Sequence, residues 1–430
     1  MKVLVVGSGG REHTLAWKLL QSNRVREVVC VPGNGGTAQM QRCRNLALSV
    51  TDFEGISRFA LVNNIGLIVV GPEVPLAEGI TDFLQEQGLK VFGPSRAGAQ
   101  IESSKQWAKE LMQEAGIPTA KAEAFTDEAA AIAYIQQQGV PIVVKADGLA
   151  AGKGVTVAET EEAAIAAVKA AFAGQFGVAG KTVLLEECLT GQEASVLAVT
   201  DGLTIRPMIP AQDYKRIGAG DTGANTGGMG AYAPTPIVTP ALMETIQTTI
   251  LEPAIATLKK RGIDYRGVLY AGLMITPTSE AKVIEFNCRF GDPETQVVLP
   301  LLETPLDELM MACVEQKLES FPDLTWTSGA AACVVLAAEG YPDKYRRGDA
   351  ITGLTEAETT GAVVFHAGTR LNQGQIVTDG GRVLGVTALG STFHEAIAKA
   401  YEAVDRIQFD ASYCRRDIGY QVLNQSSGTA

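Results

Sequence analysis

Histidine occurs only three times in 430 residues, at His13, His366 and His394, with no two close together. A metal centre built from several histidines is therefore not expected. The seven cysteines, Cys30, Cys43, Cys188, Cys288, Cys313, Cys333 and Cys414, are odd in number and scattered, with no Cys-x-x-Cys pair. That pattern argues against a zinc site and for reduced thiols in the cytoplasm. No apolar run approaches the ~18 residues of a membrane span; the longest, Ala330 to Ala338, is far too short. The opening Met-Lys-Val-Leu-Val-Val-Gly has strand length and lacks the apolar core and cleavage site of a signal peptide. Positive charge is also scarce, with 36 basic against 48 acidic side chains and a net −12. Nucleic-acid affinity comes mostly from phosphate neutralisation, so neither nucleic acid nor membrane is an expected partner. A local basic pocket for a small phosphate ligand stays open.

Glycine, by contrast, is abundant: 46 residues, above the usual ~7% and without a collagen period. Such an excess fits tight loops, including loops that approach phosphates. With 46% hydrophobic and 20% charged residues the chain is globular, not disordered. Its length predicts about three domains.

The order of elements gives an α/β fold, α+β in parts. Short apolar runs at Val3–Val6, Val28–Val31, Leu67–Val70 and Lys90–Phe92, each followed by glycine or proline, alternate with helical patterns. They predict an N-terminal doubly wound parallel sheet with ligands at its carboxyl edge. Boundaries near Gly98–Ser104 and Phe321–Ser328 divide the chain into 1–103, 104–325 and a small β-rich unit, 326–425. Within the middle unit we expect a helix from Glu102 to Ala115, strands at Pro141–Lys145, Val155–Ala158, Thr182–Glu187 and Ala194–Thr200, a helix at Glu161–Phe172, and a hairpin of Val268–Ile275 with Lys282–Asn287. Gly218–Gly230 reads as a glycine-rich loop, His394–Ile407 as the last helix, and Asn424–Ala430 as a frayed tail.

Five segments carry candidate chemistry. Gly7-Ser8-Gly9-Gly10 follows the first strand, but the third glycine of a dinucleotide fingerprint falls on Glu12, and no acidic residue caps the second strand. A turn for close packing and a loop receiving another phosphorylated ligand both remain. Lys145 to Gly154, with Gly152 and Lys153, is a strand running into a glycine loop that can fold over a polyphosphate, unless it is an exposed hairpin. It lacks Walker A spacing. Glu186, Glu187 and Glu193 flank a connection whose backbone can meet an adenine edge, with Glu193 near ribose hydroxyls; they also fit ordinary surface acids. Gln212 to Arg216 and Asp221 to Gly230 put mixed charge beside glycines, which suits a small zwitterion, or equally a purely structural loop. Glu285 and Asn287, two apart on a strand, project from one face while Ile284 and Phe286 point to the core; alone they read as a solvated strand face, and beside the lysine loop two hard oxygens suit Mg²⁺.

Together these segments resemble the ATP-grasp superfamily, and most closely its glycinamide ribonucleotide synthetases. The resemblance runs nearly end to end: Gly-Ser-Gly-Gly-Arg-Glu-His at 7–13, Val-Gly-Pro-Glu at 70–73, Lys-Ala-Asp-Gly-Leu-Ala-Ala-Gly-Lys-Gly at 145–154, Asp-Thr-Gly-Ala-Asn-Thr-Gly-Gly-Met-Gly-Ala at 221–231, Glu-Phe-Asn-Cys-Arg-Phe-Gly-Asp-Pro-Glu-Thr-Gln at 285–296 and Phe-His-Ala-Gly-Thr at 365–369. It implies an ATP-grasp fold with a lid at about 121–190, and a ligase joining glycine to phosphoribosylamine with ATP and Mg²⁺ or Mn²⁺. It further implies Lys105, Lys145, Gly152, Lys153 and Gly154 on phosphates, and Glu186, Glu187, Leu189 and Glu193 on the nucleoside. Glu285 and Asn287 would hold the metal. Arg289 and Lys145 would be catalytic, and the other substrates would meet Gly9, Gly10, Asp213, Lys215, Thr226, Gly227, Gly228, Met229, Arg289, Gly291, Asp292 and Pro293. A monomer is expected. The alternatives are another ATP-grasp ligase or carboxylase, and a nucleotide-binding regulatory module.

Overall fold

The computed structural model describes residues 1–149 and 154–427. Its first sheet is parallel and five-stranded. Across it lie Cys43–Asn45, Glu27–Pro32, Lys2–Gly7, Ile65–Val70 and Val91–Phe92. The chain order reverses between Lys2–Gly7 and Ile65–Val70, so the crevice of this doubly wound sheet opens at Gly7–Gly10. The first strand is apolar throughout because both its faces are covered: Leu4 and Val6 enter one core, Val3 and Val5 the other.

The expected helix from Glu102 to Ala115 is two helices, Arg96–Ser103 and Lys105–Ala115. Ser104 is extended between them, its hydroxyl accepting from Trp107 N–H at 3.1 Å, and an N-cap ends the reach of the earlier helix. Gly116 closes the second helix in the left-handed region at φ 67°.

A small antiparallel sheet follows, with Ala122–Phe125, Val183–Glu187, Ile142–Ala146 and Val155–Ala158 in that spatial order. Helices Glu128–Gln138 and Glu161–Phe172 cover one face and bury Ile135, Val144, Val168 and Leu185 in a separate core. A second antiparallel sheet orders Ile205–Pro207, Gln192–Thr200, Gly267–Ile275 and Ala281–Asn287. Its last pair slips register: Leu273 opposes Val283, whereas Gly272 opposes Glu285. Ile284 is thus the extra residue of a bulge. The sequence assigned Ile284 to the core; it is only half-buried, and Val283 with Phe286 fill that place.

The last sheet orders Gln212–Asp213, Gly230–Ala233, Ala330–Ala337, Arg382–Gly390 and Val363–His366, packed by helix Phe393–Val404. Its first two strands come from the middle of the chain and cross the division expected at 325/326. The segment Gly218–Gly230, expected as a loop, contains half of a hairpin, Arg216–Gly218 with Thr222–Asn225. The tail is helical over Tyr420–Ser427, anchored by buried Val422, so it is not frayed over 424–427; residues 428–430 of the expected frayed tail lie outside the described residues.

Candidate active site

Lys145 is the last residue but one of Ile142–Ala146, an inner strand of the small sheet, and is buried at 4% exposure. Its ammonium donates to the Ile284 carbonyl of the second sheet at 3.1 Å, a carbonyl in the bulge. It also pairs with Glu186 on the adjacent strand at 2.8 Å. Glu186 Oε2 lies 3.4 Å from Lys109 as well. The Glu186 carboxylate is therefore already shared by two ammoniums. Burial pulls Lys109 down to about 8 against the opposing pull of Glu186.

Lys105, one turn before Lys109, donates to the Gly148 carbonyl at 2.8 Å. Asp147 caps the same helix, accepting from Lys105 N–H at 2.5 Å, Gln106 N–H at 3.2 Å and the Ser104 hydroxyl at 3.2 Å. The start of the glycine loop is thus fastened to the start of the helix that carries both lysines. Burial lowers Lys105, with Lys145 adding to it and Glu285 opposing it. Gly154 closes the loop, its carbonyl accepting from Ala146 N–H at 2.8 Å; Gly152 and Lys153 lie outside the described residues. Glu187 is exposed and Leu189 half-buried on the connection to the next sheet, and Glu187 accepts from Lys121 N–H at 3.3 Å.

Glu285 and Asn287 share the site-facing side of their strand. Burial works against the Glu285 charge, but Lys215, Lys145, Lys105 and Arg289 together hold its pKa below the ordinary value. Among the described residues none pairs directly with that carboxylate. No group of three or more His, Cys, Asp or Glu side chains with metal-holding geometry occurs among them. Arg289 donates to Asn287 Oδ1 at 3.2 Å and pairs with Glu102 at 2.8 Å and Glu73 at 3.3 Å. Its guanidinium is thereby held in place from the N-terminal side.

Beyond Glu285, Lys215 pairs with Glu193 at 2.5 Å. Asp213 lies in the same electrostatic cluster: burial pushes it up to about 8, Glu294, Glu193 and Glu285 add to this, and Lys215 opposes it. Burial works against Lys215 too, but Glu193 and Asp213 keep it cationic. Under them Glu294 accepts from the Tyr270 hydroxyl at 2.5 Å and the Ser195 hydroxyl at 3.1 Å.

The glycine turn of the first sheet faces the 291–293 segment. Arg11 N–H donates to Asp292 Oδ2 at 3.1 Å, next to Gly9 and Gly10. Glu12 turns back, accepting from Gly9 N–H and Arg11 Nε, both at 2.6 Å. A Cβ on Gly71 would lie 2.0 Å from Glu12 Oε1, and one on Gly7 2.4 Å from its Cγ. Where a dinucleotide fingerprint has its third glycine, a carboxylate fills the turn. Gly227 and Gly228 complete this side: Gly228 has φ +115°, and a Cβ there would meet Pro293 Cδ at 2.4 Å. The Thr226 hydroxyl donates to the Lys215 carbonyl at 2.8 Å. Met229 is fully buried, with its N–H on the Tyr214 carbonyl and its carbonyl on Val335 N–H, so it holds the loop in place.

Sequence reasoning missed Lys109, Asp147, Glu102, Glu73, Arg11 and Arg382. Lys109 had a signal, since it follows Lys105 by four on one helix face. The partners of Arg289 and Asp292 had none, because they come from distant segments.

Comparison with known proteins bears directly on this arrangement. Residues 1–102, 103–295 and 331–421 match the N domain, the ATP-grasp (A) domain and the C domain of phosphoribosylglycinamide synthetase. The chain is similar to the phosphoribosylamine–glycine ligase of Nostoc sp., 69% identical and covering 98% of this chain and all of that one. The Synechocystis sp. ligase of the same name is 58% identical over the same shares. A solved phosphoribosylamine–glycine ligase from Thermotoga maritima superposes with a TM-score of 0.83 at 34% identity, covering 97% of this chain and all of that one. With identity at that level over almost its whole length and all three domain profiles matched in order, the chain belongs to the phosphoribosylglycinamide synthetase family, an ATP-grasp family.

Proposed function

We propose that the cleft between the two antiparallel sheets binds ATP and there phosphorylates the carboxylate of glycine, which is then joined to 5-phospho-β-D-ribosylamine. Its family makes the chain an ATP-dependent ligase of purine biosynthesis, the phosphoribosylamine–glycine ligase reaction. The observation that carries the mechanism is the convergence of Lys105 from a helix, Lys145 from the small sheet and Glu285, Asn287 and Arg289 from one segment of the second sheet on one region.

In this reading a glycine carboxylate oxygen attacks the γ-phosphorus and the bond to ADP breaks, giving glycyl phosphate. The sugar amine then attacks the carbonyl carbon, the C–O bond to phosphate breaks, and the nitrogen loses a proton. No enzyme nucleophile is needed, because phosphoryl transfer of this kind depends on position and charge. Lys105, Lys145 and Gly152–Gly154 receive the phosphates. To do so Lys145 leaves Glu186, and Lys109 then keeps that carboxylate paired. Backbone groups near Glu186, Glu187 and Leu189 take the adenine, and Glu193 the ribose.

Glu285 and Asn287 fit a divalent cation, Mg²⁺ or Mn²⁺: the oxygens are hard, adjacent and site-facing, with substrate phosphates supplying the rest. Such an ion offsets the negative charge of the β- and γ-phosphates. Arg289, fixed by Glu73 and Glu102, stabilises charge on the transferring group. Lys215 suits the carboxylate of glycine and Asp213 its ammonium, whose charge favours the ionised carboxyl that burial opposes. Gly9, Gly10 and the following helix N-terminus suit the ribosyl phosphate, with Thr226–Met229 and Gly291–Pro293 closing the amine side. Closure of the 145–154 loop excludes water from the acyl phosphate. We take the unit to be one chain, divided near 103 and 325, working in the cytoplasm. Among the described residues no helix is long and apolar enough to cross a membrane.

ADP release tests the reading: with glycine plus phosphoribosylamine, with bicarbonate, and with neither. Release that requires glycine and the amine supports it; release indifferent to glycine removes it.

A further inference from the structure

Arg382 opens the strand Arg382–Gly390, where the pairing with Ala330–Ala337 slips register. Leu336 opposes Leu384 but Ala337 opposes Arg382, so Val383 is the extra residue of a bulge. Bulges re-aim the neighbouring side chain. The guanidinium leaves the C-terminal sheet and enters the seam between the two segments on the amine side of the cleft. Its Nη1 donates to the carbonyls of Gly227 at 2.8 Å, Gly228 at 3.3 Å and Asp292 at 2.8 Å. It also pairs with the Asp292 carboxylate at 3.3 Å. The guanidinium comes so near that a Cβ on Gly227 would lie 2.9 Å from its carbon. A second C-terminal side chain helps: the Tyr341 hydroxyl accepts from Gly227 N–H at 3.0 Å. The other oxygen of Asp292 takes Arg11 N–H from the first helix. All three units of the chain therefore meet at Asp292, and Arg382 is the cation that closes the meeting. None of these contacts reaches Lys105, Lys145, Glu186 or Glu285.

We propose that Arg382 is a positioning residue for the phosphoribosylamine half-site: it sets the 226–229 loop against the 291–293 turn without touching the nucleotide half. This rests on the ligase reading above. The C-terminal domain thereby contributes to amine binding through Arg382, with Tyr341 beside it on Gly227 N–H.

Steady-state kinetics of full-length Arg382→Ala and Arg382→Lys, with each substrate varied in turn, test it. For Arg382→Ala the KM for phosphoribosylamine should rise about tenfold or more and the KM for ATP stay within about twofold, with any rise for glycine, whose Lys215 the same loop holds through Thr226, smaller than that for the amine. Arg382→Lys should recover part of the loss, because an ammonium still reaches some of the carbonyls. A fall in kcat with all KM values unmoved, a parallel rise in all three, or no turnover in both variants with native melting would each overturn the proposal. So would a loss that merely follows the folded fraction at the assay temperature. If the unsubstituted enzyme releases no glycine-dependent ADP, it is the ligase reading that fails, whatever Arg382 does.

Discussion

His366 ends the strand Val363–His366 of the last sheet and meets the first helix of the chain, where its backbone N–H donates to His13 Nδ1 at 2.8 Å. That nitrogen of His13 therefore carries no proton. Burial holds His366 down at about 4 and His13 well below its ordinary value, the latter helped by His366 itself. Both rings are neutral in the folded protein, whereas an unfolded histidine titrates near ~6.5. With the folded pKa depressed, the stabilisation is complete above ~6.5 and drains away as pH falls toward ~4. A gap of about 2.5 pH units corresponds to about 3 kcal/mol for His366, of which about 2 kcal/mol is lost between pH 7 and pH 5. Urea unfolding followed by tryptophan fluorescence measures this locally, since Trp17 lies edge-on to Phe365 at 5.5 Å in the same junction. His366→Asn should be less stable at pH 7, yet its stability should fall by about 2 kcal/mol less on going to pH 5. An unchanged pH dependence in that variant would refute the assignment of acid sensitivity to this junction.

Glu285→Ala should lower kcat/KM by about 100-fold or more, with an unaltered circular dichroism spectrum; an unfolded spectrum would make the residue structural. Lys153→Ala should raise the KM for ATP without lowering the melting temperature, and unchanged kinetics would count against the loop as a lid. Gly36→Ala puts a Cβ 2.4 Å from His13 Cε1 and 2.6 Å from His366 Cγ. Such overpacking should cost about 1–3 kcal/mol in urea unfolding, and a neutral result would mean that the histidine pair yields freely.

What the sequence made legible was local. The strand Val155–Ala158 and the helix Glu161–Phe172 occur where alternation and helical spacing put them, because their periods and flanking glycines need no partner to be read. Glu285 and Asn287 share a face for the same reason. Ile284 escaped the reading because a bulge depends on the opposing strand, two residues of one facing one of the other. Gln212–Asp213 and Gly230–Ala233 carry no mark of joining a sheet whose other strands begin a hundred residues on. The same holds for Arg289, whose carboxylates Glu73 and Glu102 sit in the N-terminal helices. Charge pairing across such distances exists only after folding. The family resemblance supplied the chemistry in advance; the structure adds which groups hold its residues in place.

The measurement closest to the central claim follows oxygen rather than rate. Glycine labelled with ¹⁸O in its carboxylate is turned over with ATP and phosphoribosylamine, and the released phosphate is analysed by mass spectrometry. Attack of the carboxylate on the γ-phosphorus, followed by amine displacement, leaves one carboxylate oxygen in the phosphate, so each phosphate formed should carry a single ¹⁸O. Unlabelled phosphate at full turnover would contradict carboxyl activation in this cleft.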